Sequence, residues 1–284
     1  MKRKQWGILV VAFALVLLFA ACGKKKAPAS DEAAPASESS KEQETSETMM
    51  SIRHGTITLA KPGFDKKIKD LQKRNADVVG WISLDGTPNA YPLLYSGDND
   101  YYLRRNIDKE YELYGIPFLD MENTSKLTDQ NTVIYGHMPD AGGLQQFGVL
   151  RHYKEQEFTD KSPKTVTITT NNGIYTYRLF TIHKVLEEAP YRRANMPEKE
   201  YAALLKEAVE GSMVNFHYDK AVTTKERVLT LSTCTGDGDH TYRLAILGVL
   251  DKAELTPEAF EEAKRFYGNE KEKAPEESST TQSL

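Results

Sequence analysis

The chain has 284 residues and carries 37 Lys and Arg against 41 Asp and Glu, a net charge of −4. This balance is mild, and no basic stripe with interleaved aromatic residues is present, which argues against a nucleic acid as partner. Of the two cysteines, Cys22 ends an export-type segment, so Cys234 has no partner for a disulfide within a folded domain.

Residues 1–26 are typical of a membrane-targeting segment. Three basic residues precede an uncharged run from Trp6 to Ala21. As a helix, that run is about 24 Å long, short for a bilayer core of roughly 30 Å. Its ending, FAACG, resembles a bacterial lipoprotein cleavage box in which Cys22 becomes lipidated. An uncleaved single-pass anchor is the alternative, and both place the folded part on the extracytoplasmic face of the cell membrane.

Two segments of low complexity bracket the part of the chain that can fold. Residues 27–50 are rich in Ala, Ser, Pro and Glu, and residues 268–284 have the same character. Neither carries enough apolar surface to offset the entropy of ordering the chain. The sequence therefore predicts a disordered linker at 27–50, one folded domain at 51–267 and a disordered tail at 268–284.

Three helices are predicted along the folded part. The first spans residues 64–79, where apolar side chains recur on one face. The second begins at Pro197, a residue suited to a first helical turn, and ends near Gly211. The third, Pro257–Tyr267, follows Thr256, which is a plausible N-cap.

Short runs of β-branched and aromatic residues predict strands between these helices. Asn171-Asn172-Gly173 is a strong hairpin signal between two of them. Many short strands with few helices are typical of a mainly β protein, either a barrel or a sandwich. The predicted strands cover residues 81–84, 132–135, 165–169, 174–185, 227–232 and 243–250.

Cys234 follows the apolar strand at 227–232 and precedes a loop that starts with Thr235-Gly236-Asp237-Gly238. One interpretation is a buried cysteine that acts as a small apolar residue. The other is a reactive thiol, which is the interpretation that an unpaired cysteine in an exported protein favours. The acidic loop resembles a fragment of a calcium site but lacks the further ligands, so we interpret it as a polar turn and predict neither metal nor cofactor.

A nucleophilic thiol needs a base or acid beside it and a group that stabilises the developing oxyanion. His137 directly follows a strand, whereas His240 is near Cys234 in sequence but lies in the loop; position favours His137 modestly. Arg243 opens the next strand and would lie near Cys234 in an antiparallel pair, where its donors could hold a carbonyl oxygen. An ordinary surface arginine is the alternative for Arg243.

These residues carry a family resemblance. TLSTC at 230–234, YGH at 135–137 and Arg243 resemble the cysteine, histidine and arginine motifs of sortases, the cysteine transpeptidases of Gram-positive cell surfaces. YPLL at 91–94, DNDYYL at 98–103 and GIPFLD at 115–120 are similar to the class B subgroup. The resemblance covers residues 68–250, nearly all of the predicted domain.

The resemblance implies a closed β-barrel of about eight strands, with an N-terminal helix and a helix before the cysteine strand. It implies that Cys234 attacks the Thr carbonyl of a C-terminal N-P-x-T-x or S-P-x-T-x sorting signal, and that His137 transfers protons. Arg243 would stabilise the oxyanion or orient the substrate. An amine from peptidoglycan or a pilin subunit would then resolve the thioester.

Two alternatives to a sortase stay open at this point. A cysteine peptidase on the same scaffold shares the acylation step and differs in using water to resolve the thioester. A membrane-anchored binding lipoprotein with an incidental thiol would use Cys234 for packing alone. If the protein is a sortase, housekeeping, haem-protein anchoring and pilus assembly are all compatible with the sequence.

Overall fold

A computed structural model of the protein describes residues 48–139 and 142–268. The predicted targeting segment with Cys22, residues 27–47 of the predicted linker and residues 269–284 of the predicted tail lie outside the described residues. Within the two described ranges, none of the helices combines the length and the apolar character that crossing a bilayer requires.

Strands dominate the described part of the chain. They are β1 (Met49–Ser51), β2 (Thr56–Leu59), β3 (Val78–Leu84), β4 (Ala90–Leu94), β5 (Phe118–Leu119), β6 (Asn131–Tyr135), β7 (Thr165–Thr170), β8 (Gly173–Leu186), β9 (Val228–Cys234) and β10 (Tyr242–Leu255). The α-helices are α1 (Lys66–Arg74), α2 (Gln156–Lys161), α3 (Glu198–Glu210) and α4 (Pro257–Gly268). Short 3₁₀ helices span Tyr101–Arg104, Gly148–Lys154 and Pro190–Arg192.

Eight of these strands close into a barrel in the order β10, β8, β7, β3, β4, β5, β6 and β9. The ring closes because β10 pairs with β8 along one edge and with β9 along the other. β1 and β2 form a hairpin outside the ring, and β2 runs parallel to the last residues of β10. The prediction of a mainly β protein with a closed barrel of about eight strands is thus confirmed.

Apolar side chains at alternate positions along the strands fill the barrel interior. Ile82, Leu93, Ile168, Leu231 and Ile246 all belong to this core and are almost fully buried. Successive side chains of a strand point to opposite faces. The neighbours of Leu231 therefore point out of the barrel, which decides where Cys234 lies.

A second apolar cluster covers the outer face of β10. Tyr201, Leu205 and Ala208 of α3 pack with Ala245 and Leu247 of β10. Each large side chain buried in this way stabilises the fold by about 1.5–3 kcal/mol. Helix α3 is thereby fixed on the outside of the barrel, before the chain enters β9.

The first helix is shorter than the sequence predicts. It was predicted over residues 64–79, but α1 ends at Arg74 and Val78 already lies in β3. Asn75 is extended and its amide donates to the hydroxyl of Tyr102 at 2.9 Å and to a backbone carbonyl at 2.8 Å. These buried hydrogen bonds end the helix, and the β-branched pair that follows favours a strand.

The ends of the predicted domain also differ slightly from the observed elements. β1 begins at Met49, inside the segment predicted as linker, and α4 ends at Gly268. The helices predicted from Pro197 and over Pro257–Tyr267 correspond to α3 and α4.

Candidate active site

The end of β9 presents Cys234 on the outer face of the barrel. Leu229 and Leu231 point into the core, so Thr230, Ser232 and Cys234 share the opposite face. The thiol is half-buried and free, which leaves it able to act as a nucleophile.

Strand β6 brings His137 to the same end of the barrel. β6 and β9 run parallel with Tyr135 level with Ser232, and the backbone N–H of Gly136 continues the ladder to the carbonyl of Ser232 at 3.2 Å. His137 comes two residues after Tyr135, and Cys234 comes two residues after Ser232. Because Tyr135 and Ser232 are paired, His137 and Cys234 lie at the same height at the end of the barrel. A Cβ at Gly136 would meet the Phe147 ring at 2.6 Å, so only glycine fits here.

The imidazole of His137 is held by the neighbouring loop. Its Nε2 lies 2.9 Å from the carbonyl oxygen of Leu103, and its ring centroid lies 6.2 Å from that of Tyr114. A carbonyl oxygen can only accept, so Nε2 carries a hydrogen. The nitrogen that changes its protonation between the neutral and the charged ring is therefore Nδ1.

Arg243 lies directly opposite Cys234 in the antiparallel pair of β9 and β10. Directly opposed residues place their side chains on the same face, with Cβ atoms about 4.5–5.5 Å apart. The guanidinium is held by protein groups: Nη2 donates to Glu187 Oε1 at 2.6 Å, and Nη1 donates to the carbonyls of His240 at 2.9 Å and Tyr242 at 3.0 Å.

His137 and Cys234 line one cavity of about 270 Å³. Arg243 is not among the lining residues and lies beside the cavity on β10. Two of the three residues predicted from the sequence are thus brought together, and the third is adjacent to Cys234. The lining residues come from three segments: Arg104, Leu113 and Tyr114; His137 and Met138; and Cys234, Thr235, Gly236, Gly238, Asp239 and His240.

His240, the weaker histidine candidate, lines the same cavity. Its side chain is exposed in the loop after Cys234, whereas His137 is half-buried and hydrogen-bonded at the end of a strand. A catalytic group has to be held in a fixed geometry, and His137 meets that requirement better.

Ion pairs connect the loop that follows Cys234 to strand β8. Lys184 Nζ lies 3.4 Å from Asp239 and 3.7 Å from Asp237. A hydrogen bond from the hydroxyl of Thr235 is the main reason that the pKa of Asp237 lies below its ordinary value. Within residues 48–139 and 142–268, no group of three or more His, Cys, Asp or Glu is arranged to hold a metal ion.

A buried asparagine fixes the segment that borders this face of the barrel. The Asn131 amide donates to the carbonyls of Tyr191 at 2.8 Å and Arg193 at 3.2 Å, and accepts from Thr230 Oγ1 at 2.7 Å. The Tyr191 hydroxyl lies 2.9 Å from that of Ser232, and burial raises the pKa of Tyr191. Neither Asn131 nor Glu187 is predicted from the sequence as a site residue, because neither belongs to a motif and the partners of each lie far along the chain.

Comparison with known proteins adds an independent line of evidence. The sortase domain model matches residues 96–251. Sortase B of Listeria monocytogenes is 34% identical over 188 residues, which cover 65% of this chain and 74% of that protein.

Two solved structures of sortase B are similar to this fold. The structure of the Staphylococcus aureus sortase B–substrate complex has a TM-score of 0.59 at 29% identity, covering 75% of this chain and 90% of that one. The structure of a sortase B complex with triglycine has a TM-score of 0.59 at 32% identity, covering 65% and 85%. Because the sortase domain model matches more than half of the chain, this protein belongs to the sortase family of cysteine transpeptidases, within class B.

Proposed function

We propose that this protein cleaves a C-terminal sorting signal after Thr and joins the upstream protein to an amine at the cell surface, with Cys234 as nucleophile. The observation that carries the proposal is that Cys234 and His137, from two parallel strands, line one cavity, with Arg243 directly opposite Cys234. The sorting signal is of the N-P-x-T-x or S-P-x-T-x type, and the amine comes from peptidoglycan or a pilin subunit.

In the acylation step, Cys234 as thiolate attacks the carbonyl carbon of the substrate Thr while His137 carries a proton on both ring nitrogens. The bond from that carbon to the next residue's nitrogen then breaks, and His137 gives this nitrogen a proton as it leaves. The product is a thioester between Cys234 and the Thr carbonyl. Since Nε2 of His137 is engaged with Leu103, the proton given up is the one on Nδ1.

In the second step, an amine attacks the thioester and His137 takes one of its protons. The carbon–sulfur bond breaks, the thiolate of Cys234 is regenerated, and a new amide links the two molecules. The solved sortase B complex with triglycine supports a peptide amine as the acceptor class.

Arg243 stabilises the negative charge that develops on the carbonyl oxygen in both steps. A guanidinium beside the nucleophile can supply two hydrogen bonds to that oxygen or to the substrate backbone. Its cross-strand position opposite Cys234 supports this role.

The enzyme acts on the extracytoplasmic face of the membrane, held there by its N-terminal segment. The catalytic domain runs from β1 to α4, and the linker before Met49 separates it from an anchor that is either lipidated Cys22 or an uncleaved helix. The targeting pattern of residues 1–26 supports this arrangement.

The test is a reaction of the full-length protein in detergent with peptides that carry the N-P-x-T and S-P-x-T motifs, with and without triglycine. Mass spectrometry should detect an acyl group on Cys234 and a ligated peptide product, both absent from Cys234→Ala. His137→Gln should lower turnover by roughly 10²–10⁴-fold.

Other outcomes of this experiment decide against the proposal. Hydrolysed peptide without ligated product at high triglycine would identify a peptidase. Absence of any acyl-enzyme across the peptide panel, with a native fold retained, would favour the binding-protein alternative.

A further inference from the structure

Glu187 is an acidic residue next to the proposed site that none of the proposed steps uses. Its carboxylate accepts from Arg243 Nη2 at 2.6 Å. The Arg243 side chain is 20% exposed and that of Glu187 is 42% exposed, so the pair lies at the protein surface.

The strand order shows in which direction this contact draws the guanidinium. β10 lies between β9 and β8, and Arg243 is level with Cys234 on one side and with Val185 on the other. Glu187 comes two residues after Val185, on the β8 side. The ion pair therefore attaches the guanidinium to a residue on the β8 side of β10, opposite to the β9 side on which Cys234 lies.

The remaining contacts of the guanidinium are also with the protein itself, as expected for a resting position in which Arg243 does not yet bind substrate. Nη1 is bound to the carbonyls of His240 and Tyr242, and Arg243 does not line the cavity that contains Cys234. In this position the protein engages three of the five N–H donors of the guanidinium, and a substrate carbonyl that takes the Nη2 hydrogen now given to Glu187 has to displace that carboxylate.

Glu187 itself is held firmly by its backbone. Its N–H donates to the carbonyl of Thr241 at 3.0 Å, and the preceding Leu186 is paired with Tyr242 in the sheet. The backbone positions of Glu187 and Arg243 are thus both fixed by the sheet, and the contact between them depends on two rotatable side chains. A partly exposed ion pair of this kind is weak enough to be exchanged during a catalytic cycle.

We propose that Glu187 is a positioning residue that holds Arg243 in a resting position away from Cys234, and that substrate binding exchanges this ion pair for contacts with the substrate carbonyl. The proposal rests on the role given to Arg243 under the proposed function. It adds that part of the free energy of substrate binding is used to break the contact between Arg243 and Glu187.

The first test compares full-length Glu187→Gln with the wild type in a peptide cleavage assay that uses hydroxylamine as nucleophile. Releasing Arg243 should lower KM by about threefold with kcat unchanged. Because salt screens a partly exposed ion pair, the wild-type KM should fall towards that of the variant at high salt, whereas the variant should respond little. Glu188→Gln is the matched control, since Glu188 is the adjacent glutamate.

The second test needs no substrate and so separates this proposal from the proposed function. A guanidinium released near the sulfur stabilises the thiolate. Alkylation of Cys234 by iodoacetamide at pH 7 should therefore be about threefold faster in Glu187→Gln than in the wild type or Glu188→Gln. In an Arg243→Gln background, Glu187→Gln should bring no acceleration.

The two tests have outcomes that overturn the proposal. An alkylation rate that is unchanged or slower in Glu187→Gln, or a higher KM in that variant, would mean that Glu187 does not hold Arg243 away from the thiol. A wild type that is alkylated as expected but forms no acyl-enzyme would instead reject the proposed function alone.

Discussion

The hydroxyl groups of Tyr191 and Ser232 lie 2.9 Å apart in a contact that is almost completely buried. Ser232 is two residues before Cys234 on the same face of β9, and Tyr191 belongs to the segment that precedes α3. This hydrogen bond joins the segment before α3 to the strand that carries the proposed nucleophile.

We expect Tyr191→Phe to destabilise the protein by about 1–2 kcal/mol, because the buried hydroxyl of Ser232 loses its partner. The ring itself keeps its packing in this variant. The loss would be measured as a shift in the urea unfolding midpoint at constant slope.

A double-mutant cycle with Ser232→Ala provides the control. Since the two hydroxyls share one hydrogen bond, the double variant should lose clearly less stability than the sum of the single variants. Additive losses would show that the two groups do not interact.

A second prediction concerns the loop after Cys234. Gly236 and Gly238 both have a positive φ, +76° and +81°. A Cβ at Gly236 would lie 2.7 Å from the sulfur of Met138, the neighbour of His137, whereas a Cβ at Gly238 meets nothing within 4 Å. Alanine at either position strains the backbone, at a cost of about 1 kcal/mol in folding stability. Only the alanine at Gly236 also disturbs the cavity, through Met138.

Gly236→Ala should therefore lower kcat/KM about tenfold or more, since small displacements of catalytic groups are costly. Gly238→Ala should keep kcat/KM within about twofold of the wild type, with a similar loss in thermal stability. Peptide cleavage kinetics alongside thermal unfolding would separate the two effects. Equal kinetic losses in both variants would mean that loop strain, not the Met138 contact, controls the site.

A third prediction follows from His183, which is 5% exposed on β8. Burial lowers its pKa from 6.5 to about 4. The folded state therefore binds this proton less readily than the unfolded chain does. The stability associated with neutral His183 is complete above pH 6.5 and is lost as the pH falls towards 4, by about 3 kcal/mol.

The free energy of unfolding of His183→Gln should accordingly depend less on pH between 6.5 and 4 than that of the wild type. Chemical denaturation at several pH values measures this difference. His152→Gln, at a half-buried surface position, is the control and should leave the wild-type slope unchanged. An unaltered slope in His183→Gln would mean that His183 does not titrate in this range.

The local parts of the structure could be predicted from the sequence. The Asn-Asn-Gly turn predicts the β7–β8 hairpin, and the apolar run before Cys234 predicts β9, because turn chemistry and side-chain alternation act over a few residues. Cys234 and Arg243 could be placed near one another for the same reason, since their strands are neighbours in the chain as well as in the sheet.

The relationships between distant residues could not be predicted in this way. Asn131 and Thr230 are 99 positions apart, and their contact depends on the parallel pairing of β6 with β9. Glu187 has no local signal either, because its role depends on the register between β8 and β10. The first helix was predicted too long because the buried hydrogen bonds of Asn75, formed with residues well downstream, end it early.

Outside the proposed site, a buried carboxylate links the N-terminal hairpin to the chain just before β9. Glu226 Oε1 lies 2.9 Å from Arg53 Nε and 3.1 Å from His54 Nε2, and the carboxylate accepts from the N–H and hydroxyl of Thr223 at 2.6 and 2.7 Å. Burial raises the pKa of Glu226, but the contact with His54 and the hydrogen bonds from Thr223 outweigh it and bring the pKa below 4.5. The ionised carboxylate is therefore the form that the folded protein prefers.

We expect Glu226→Gln to lower the free energy of unfolding by about 1–3 kcal/mol at pH 7, the usual worth of hydrogen bonds to a buried charge. Because the pKa is lower in the folded state, this contribution is complete above pH 4.5 and is lost as the pH falls further. The wild type and the variant should thus converge in strongly acidic solution when chemical denaturation is followed at a series of pH values. Glu188→Gln removes the same charge at a more accessible position and should match the wild type throughout. A difference between wild type and Glu226→Gln that persists unchanged below pH 4.5 would show that packing, not the charge of Glu226, stabilises this junction.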